Sequence, residues 1–286
     1  MFLFADSGST KTNWIITDSD YQELKSFSTI GLNPYFTTKE MIIRSLVENF
    51  PPDYEPLQIK YTAFYGAGCS NNDNFEHLKN ALEEYLYNSK VDVYSDMLGA
   101  ARGVLLTEPG IAAIIGTGTN SCLYNGDYIE KGAVSLGYIL GDEGSGAYIG
   151  KIFLKQYLEF KFDRELTQKI YNETGANLTN VLTSLYRGQN PNKYLASFCP
   201  FIKNNISHPQ LDSLLRYSFR KFFNTFIFIF SEPHKSKIGL VGSIATYFSD
   251  IILEVAKEFD IKDIRVIQDP LRNIIKFHSL KNHPFQ

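Results

Sequence analysis

The sequence predicts an α/β protein built from two similar halves, and three observations carry that expectation. Short apolar runs of strand-like composition alternate with segments of helical periodicity, the pattern of sheets flanked by helices. A strand, a glycine-rich turn and a second strand occur at residues 2–17 and again at 111–124, so the order restarts near Glu108-Pro109-Gly110. The length of 286 residues suits about two domains at roughly 100–200 residues each. The expected halves are residues 1–109 and 110–286, packed directly with a cleft between them, since no low-complexity linker separates them.

The first half opens as a meander. Residues 2–5, 13–17 and 24–30 read as strands, with the polar turn Asp18-Ser19-Asp20 between the last two. Thr37 or Thr38 can cap a helix with Met41, Ile42, Leu46 and Val47 on one face, ended by Pro51-Pro52. A strand at 59–65, an amphipathic helix at 74–88, a strand at 91–94 and a helix of small residues at 96–106 follow. In the second half, 111–115 runs into Gly116-Thr117-Gly118-Thr119, and 121–124 leads to the hairpin signal Asn125-Gly126-Asp127 before a strand at 128–134. Helical segments dominate from 147 to 230. A strand at 238–241, a helix from Gly242-Ser243 to about 259 and a strand at 265–268 come next. Residues 269–286 begin as a helix expected to pack back on the first half.

Composition narrows the partners. Hydrophobic residues make up 44% and charged residues 21% of the chain, as in an ordinary globular protein. A net charge of -3 gives no general attraction to nucleic acid or anionic lipid, so small molecules are the expected partners. The most apolar run, 222–230, is interrupted by Asn224 and Thr225 and is far shorter than the ~20 residues of a membrane span. Cys69, Cys122 and Cys199 are odd in number and far apart, which fits a reducing compartment better than a disulfide framework. Without a basic and apolar leader pattern, the expected location is the cytoplasm. His77, His278 and His283 show no metal-pair spacing and read as surface residues.

Chemistry concentrates in the glycine-rich turns. In Asp6-Ser7-Gly8-Ser9-Thr10-Lys11-Thr12, small residues let backbone N–H groups approach phosphate oxygens. Ser9, Thr10 and Thr12 add hydroxyls and Lys11 a positive charge, while Asp6 can hold Mg²⁺ directly or through water. It is not a Walker A loop, because Thr10 precedes Lys11 and a strand follows instead of a helix. A polar hairpin turn fits this loop alone equally well. Gly116-Thr117-Gly118-Thr119-Asn120 occupies the matching place in the second half, and two such loops can clamp a triphosphate. Gly239-Leu240-Val241-Gly242-Ser243 is either a plain strand–helix joint or a place where backbone lies against a nucleotide. Asp96 is either a helix cap or a general base for an attacking hydroxyl. Asp142 and Glu143 sit in a glycine-dense turn, where Asp142 suits a sugar hydroxyl or a magnesium-bound water and Glu143 can do likewise or complement a helix dipole.

Taken together, these loops, with Gly31-Leu32-Asn33-Pro34, Gly66-Ala67-Gly68, Asp96-Met97-Leu98-Gly99-Ala100 and Gly141-Asp142-Glu143-Gly144-Ser145-Gly146, resemble the N-acetylglucosamine kinase family. That family lies within the broader group that also holds the ATPase activators of 2-hydroxyacyl-CoA dehydratases. The resemblance spans nearly the whole chain. It implies two ribonuclease-H-like, actin-like ATPase domains with mixed sheets flanked by helices, and ATP, Mg²⁺ and an amino sugar in the cleft. Carried over, Gly8, Ser9, Thr10, Lys11, Thr12, Gly116, Thr117 and Gly118 would bind ATP phosphates, with Gly242 and Ser243 beside the base and ribose. Asp6 would serve the metal and Asp96 the proton transfer. Asn33, Gly68, Asp96, Thr117, Gly137 and Asp142 would contact the sugar. Members often dimerise, so a homodimer is the implied assembly.

Two departures stand out. Ser7 and Ser9 replace the family's usual glycines, and Leu136 stands where many members carry a tryptophan beside the sugar. An activator-type ATPase would need cysteines for a shared iron–sulfur cluster, and these three are isolated. A sugar sensor would not need the acids Asp6, Asp96 and Asp142.

Overall fold

The computed structural model describes residues 1–8, 10–69 and 72–281. The chain divides into two compact units. The first holds Met1–Glu108, Asn125–Tyr128 and Asp269–Gln286, and the second holds Pro109–Tyr124 and Ile129–Gln268.

Unit 1 is built on a five-stranded sheet of order β3-β2-β1-β4-β5. Strands β1 (Phe2–Ser7), β2 (Lys11–Thr17) and β3 (Glu23–Ile30) form the antiparallel meander. Helix α1 (Lys39–Asn49) follows; Thr38 caps it by accepting from the Met41 amide at 3.3 Å. Strand β4 (Tyr61–Gly66), helix α2 (Asn72–Tyr85), strand β5 (Lys90–Ser95) and helix α3 (Asp96–Leu105) complete the contiguous part. Both β4 and β5 run parallel to β1. Because β1 is covered on both faces, its residues 2–5 read as one continuous apolar run. Leu3, Ala5, Trp14, Ile16 and Phe64 pack with Ile42, Leu46, Leu78 and Leu82 of α1 and α2 on one side.

Unit 2 repeats this plan. Strands β6 (Gly110–Ile115), β7 (Thr119–Tyr124) and β8 (Ile129–Gly132) form the second meander. A short helix α4 (Gly137–Leu140) leads to α5 (Gly146–Leu158). Then come α6 (Arg164–Thr174), α7 (Leu178–Arg187), α8 (Pro191–Ala196), α9 (Cys199–Asn204) and α10 (Pro209–Phe222). Strand β9 (Ile238–Val241), helices α11 (Ser243–Tyr247) and α12 (Ser249–Glu258) and strand β10 (Ile264–Ile267) close the unit. The sheet order β10-β9-β6-β7-β8, taken from the other edge, is the order of unit 1. The duplication expected from sequence is therefore one of topology.

Helix α13 (Leu271–Leu280) belongs to unit 1, so unit 2 ends at Gln268 and not at the C-terminus. The reason is apolar burial: Leu271, Ile274 and Ile275 pack with Phe2, Phe4, Ile15, Tyr61 and Tyr65 on the second face of the sheet. His278 continues the same i, i+3, i+4, i+7 stripe and is fully buried, with Nε2 2.8 Å from the Tyr65 hydroxyl. The surface placement expected for it is therefore wrong.

One helical expectation is met and another corrected. The run 222–230 is the end of α10 followed by a π-helical turn, Phe223–Ile227, whose extra residue lets Phe222, Phe223, Phe226 and Ile227 all face inward. The single helix expected at 242–259 breaks at Phe248, whose ring is buried in the core between α11 and α12.

Candidate functional site

The acidic centre of unit 1 follows from strand alternation. Asp6 is the last side chain but one on β1 and shares its face with Phe2 and Phe4. Asp96 opens α3 directly after β5. The capping residue is Ser95, whose hydroxyl accepts from the Leu98 amide at 3.3 Å, so Asp96 is the first helical residue and not the cap. With capping done by Ser95, the carboxylate accepts from the Met97 amide at 2.8 Å and from its own backbone amide, and is not spent on capping. Asp269, just ahead of α13, is the third member. Its carboxylate accepts from the Asn13 amide at 3.3 Å and the Leu271 backbone at 2.9 Å.

Burial pushes the Asp6 carboxyl up to about 7, reinforced by the negative charges of Asp269 and Asp96. Asp96 is also raised, by burial first and against the pull of the Met97 amide. A carboxylate with elevated proton affinity suits a general base, whose best pKa lies near the working pH. The arrangement also fits Mg²⁺, which commonly takes one or two carboxylates and completes its shell with phosphate oxygens and water. Among the described residues no three His, Cys, Asp or Glu side chains form a metal cage, and Mg²⁺ needs none. A cation beside Asp6 would offset the burial and the neighbouring charges that now raise its pKa.

The raised proton affinity of Asp6 has a measurable consequence. Between the ordinary carboxyl range and about 7, the folded chain holds the Asp6 proton while the unfolded chain has released it. Stability therefore falls as pH rises through that window. Metal-free protein is expected to lose several degrees of melting temperature between pH 5 and pH 7.5, and Asp6→Asn should flatten that slope. An equally steep slope in the variant would remove Asp6 as its origin.

Around the first loop, Gly8 donates to the Lys11 carbonyl at 3.0 Å and the Thr10 carbonyl accepts from Gly31 at 3.0 Å. Ser9 lies outside the described residues, as does His283. Thr12 is a correction. It is fully buried on the Ser7 face of the sheet, away from Asp6, and its hydroxyl bonds to Ser7 at 2.8 Å and to the Ile30 carbonyl at 2.9 Å. With those bonds made its hydroxyl is committed to the loop's structure. Gly68 and Asn33 are brought together, since a Cβ on Gly68 would stand 2.5 Å from Asn33 Oδ1.

In unit 2 the sequence-nominated residues also converge. The Gly116 and Thr117 carbonyls accept from Gly146 and Ala147, at 2.8 and 3.1 Å, so the loop is fastened to the first turn of α5. Asp142 Oδ2 lies 3.0 Å from where a Gly118 Cβ would stand, and Asp142 itself adopts a left-handed backbone (φ 61°). Burial raises its pKa, the Thr119 amide opposes, and Glu143 adds to the rise. Gly242, at φ 122° and with a would-be Cβ 2.6 Å from the Ile115 carbonyl, admits only glycine. Ser243 is exposed at the start of α11, and Gly137 (φ 67°) opens α4.

Two features escaped the sequence reading. Asp269 is announced only by the Asp-Pro step before a helical stripe. Thr119 Oγ1 and Glu143 Oε2 are buried without a hydrogen-bond partner, beside Asp142 in sequence and bonding. Cys69, Cys122 and Cys199 are all buried, their thiols pushed up to about 12 by burial. Among the described residues no helix is long and apolar enough to cross a membrane.

Two sheets of one topology, each with a glycine loop after its first strand and helices on its faces, define an actin-like ATPase fold. No family model matches the sequence. A crystal structure from Porphyromonas gingivalis, provisionally named an N-acetylglucosamine kinase, is 34% identical, with 99% of this chain and 100% of that one covered at a TM-score of 0.92. The chain belongs to the N-acetylglucosamine kinase family. A protein from Chromobacterium violaceum with the same provisional name shares the fold at 17% identity, TM-score 0.76, covering 97% and 99% of the two chains. So does a ROK family glucokinase from Streptomyces griseus, solved with glucose and AMPPNP, at 17% identity, TM-score 0.59 and 98% coverage of both.

Proposed function

We propose that this protein is an ATP-dependent kinase of an amino sugar, with N-acetylglucosamine as the first substrate to test. The observation that carries the proposal is Asp96: a carboxylate at the start of α3, with raised proton affinity, next to the metal candidate Asp6. The 34% identity over nearly the full length of a provisionally named N-acetylglucosamine kinase supports the same chemistry.

In this mechanism Asp96 takes the proton of the sugar hydroxyl as its oxygen attacks the γ-phosphorus and the bond to the ADP oxygen breaks. Lys11 and the backbone of Gly8 and Thr10 hold phosphate oxygens, as do Gly116, Thr117 and Gly118. Gly242 and Ser243 flank the nucleoside. Asp6 would hold Mg²⁺, which supplies charge neutralisation on the transferring phosphoryl group. Asn33, Gly68, Gly137 and Asp142 position the sugar. Leu136, which stands where the resemblance implies tryptophan in many members, is 57% exposed and itself supplies no aromatic face.

ADP release measured against N-acetylglucosamine, glucosamine, N-acetylmuramic acid and glucose tests the proposal. Release no faster with any of these sugars than without would overturn it. Asp142→Ala is expected to raise the sugar KM by about 10–100-fold, the scale of a lost hydrogen bond to a charged group, and to leave the ATP KM near its original value. An unchanged sugar KM would remove Asp142 from the sugar contacts.

A further inference from the structure

Arg102 is charged, 7% exposed and on the same helix as Asp96, yet no step above uses it. Its guanidinium donates to the Tyr65 hydroxyl at 2.8 Å and makes two bonds, at 3.1 and 3.3 Å, to the backbone carbonyl of Asp127. It lies over the rings of Phe277 and Tyr94, 4.5 and 4.8 Å from their centroids. The Tyr65 hydroxyl is shared with His278 of α13, and Lys281 pairs with the Asp127 carboxylate at 3.4 Å. One buried cation thus ties together α3, β4, α13 and the turn Asn125–Tyr128.

The helix it sits on has no slack. A Cβ on Gly99 would stand 2.9 Å from Tyr65, and one on Gly103 would stand 2.4 Å from Pro270. Helix α3 is therefore seated directly on Tyr65 and on the residue that follows Asp269. The turn that Arg102 grips is equally well placed. It ends β7, and β7 begins at Thr119, immediately after the Gly116-Thr117-Gly118 loop. Six residues of strand span roughly 20 Å between the turn and the loop.

We infer that Arg102 is a positioning residue that links the base to the second phosphate loop. It fixes the rotation of α3, and so of Asp96, against a turn joined to that loop by a single strand. This inference rests on the kinase reading, with Asp96 as base. Loosening the link leaves the γ-phosphoryl group free to pass to water as well as to the sugar hydroxyl; in both cases the acceptor oxygen bonds to phosphorus, its proton leaves and ADP departs.

The test compares Arg102→Lys, which keeps the charge but loses the fork, with Tyr65→Phe, which keeps the ring and loses only the phenolic oxygen. Wild type should form one ADP per sugar phosphate. Both variants are expected to form about two or more, with kcat for transfer down about 10-fold or more and the sugar KM changed less than about threefold. Amide exchange of residues 96–105 and of 125–128 should accelerate together, by about tenfold or more, in each variant. A ratio that stays at one in a folded variant, or exchange that rises in only one of the two segments, overturns the link. Absence of sugar phosphate in the wild type would instead sink the kinase reading, while coupled exchange would still report on Arg102.

Discussion

Asp96→Asn is expected to lower phosphoryl transfer by about 10²–10⁴-fold, the range of a lost general base. The substitution is nearly isosteric, and its amide oxygen can keep the bond now accepted from the Met97 amide at 2.8 Å. Ser95 still caps α3, so the helix start is unaffected. Removing one of three neighbouring carboxylates also relieves Asp6, so the variant should melt no lower than wild type. Sugar affinity, measured by titration calorimetry, should change less than about tenfold, since only one of the proposed sugar contacts is altered. Unchanged turnover would remove the base assignment, and an unfolded variant would show that the Asp96 carboxylate is structural.

Gly150→Ala is expected to have the largest effect on stability. Gly150 lies in the middle of α5, where the chain of α8 crosses it. A Cβ there would stand 1.9 Å from the Leu195 carbonyl oxygen and 2.6 Å from its carbon. Both atoms are backbone, so no side chain can swing aside. Overpacking of this kind costs about 3 kcal/mol or more. At about 2–4 °C per kcal/mol for units of this size, the melting temperature should fall by roughly 6–12 °C. The same helix holds the Gly116 and Thr117 carbonyls through its first turn, so the ATP KM should rise in parallel. A melt within a degree of wild type would mean that α5 and α8 separate without cost.

Much of the architecture was legible because apolar periodicity and burial agree. β1 and β6 are central strands, and their continuous apolar runs announced them. The glycine loops were legible because each follows such a strand. Asp96 was nominated from its place after β5, and the capping role went to its neighbour Ser95. Side-chain direction was harder. Thr12 looked like one more hydroxyl for phosphate until the pairing of Ser7 with Thr12 placed both on the face opposite Asp6. His278 could have been placed inside from its spacing to Leu271, Ile274 and Ile275. Arg102 had no local signal and Asp269 only the Asp-Pro step, because their partners lie far away in sequence: Asn13 for Asp269, Tyr65 and Asp127 for Arg102.

The return of α13 to unit 1 also sets an order of assembly during synthesis. The sheet face of Phe2, Phe4, Ile15 and Tyr61 is made early, yet its cover of Leu271, Ile274 and Ile275 is translated about 160 residues after the contiguous part of unit 1 ends. At about 5–20 residues per second, that face waits roughly ten to thirty seconds on the ribosome without its partner. Unit 2 waits as well, since β6 pairs with β9, translated about 120 residues later. Throughout that delay the aromatic side of the first sheet is open to chaperones.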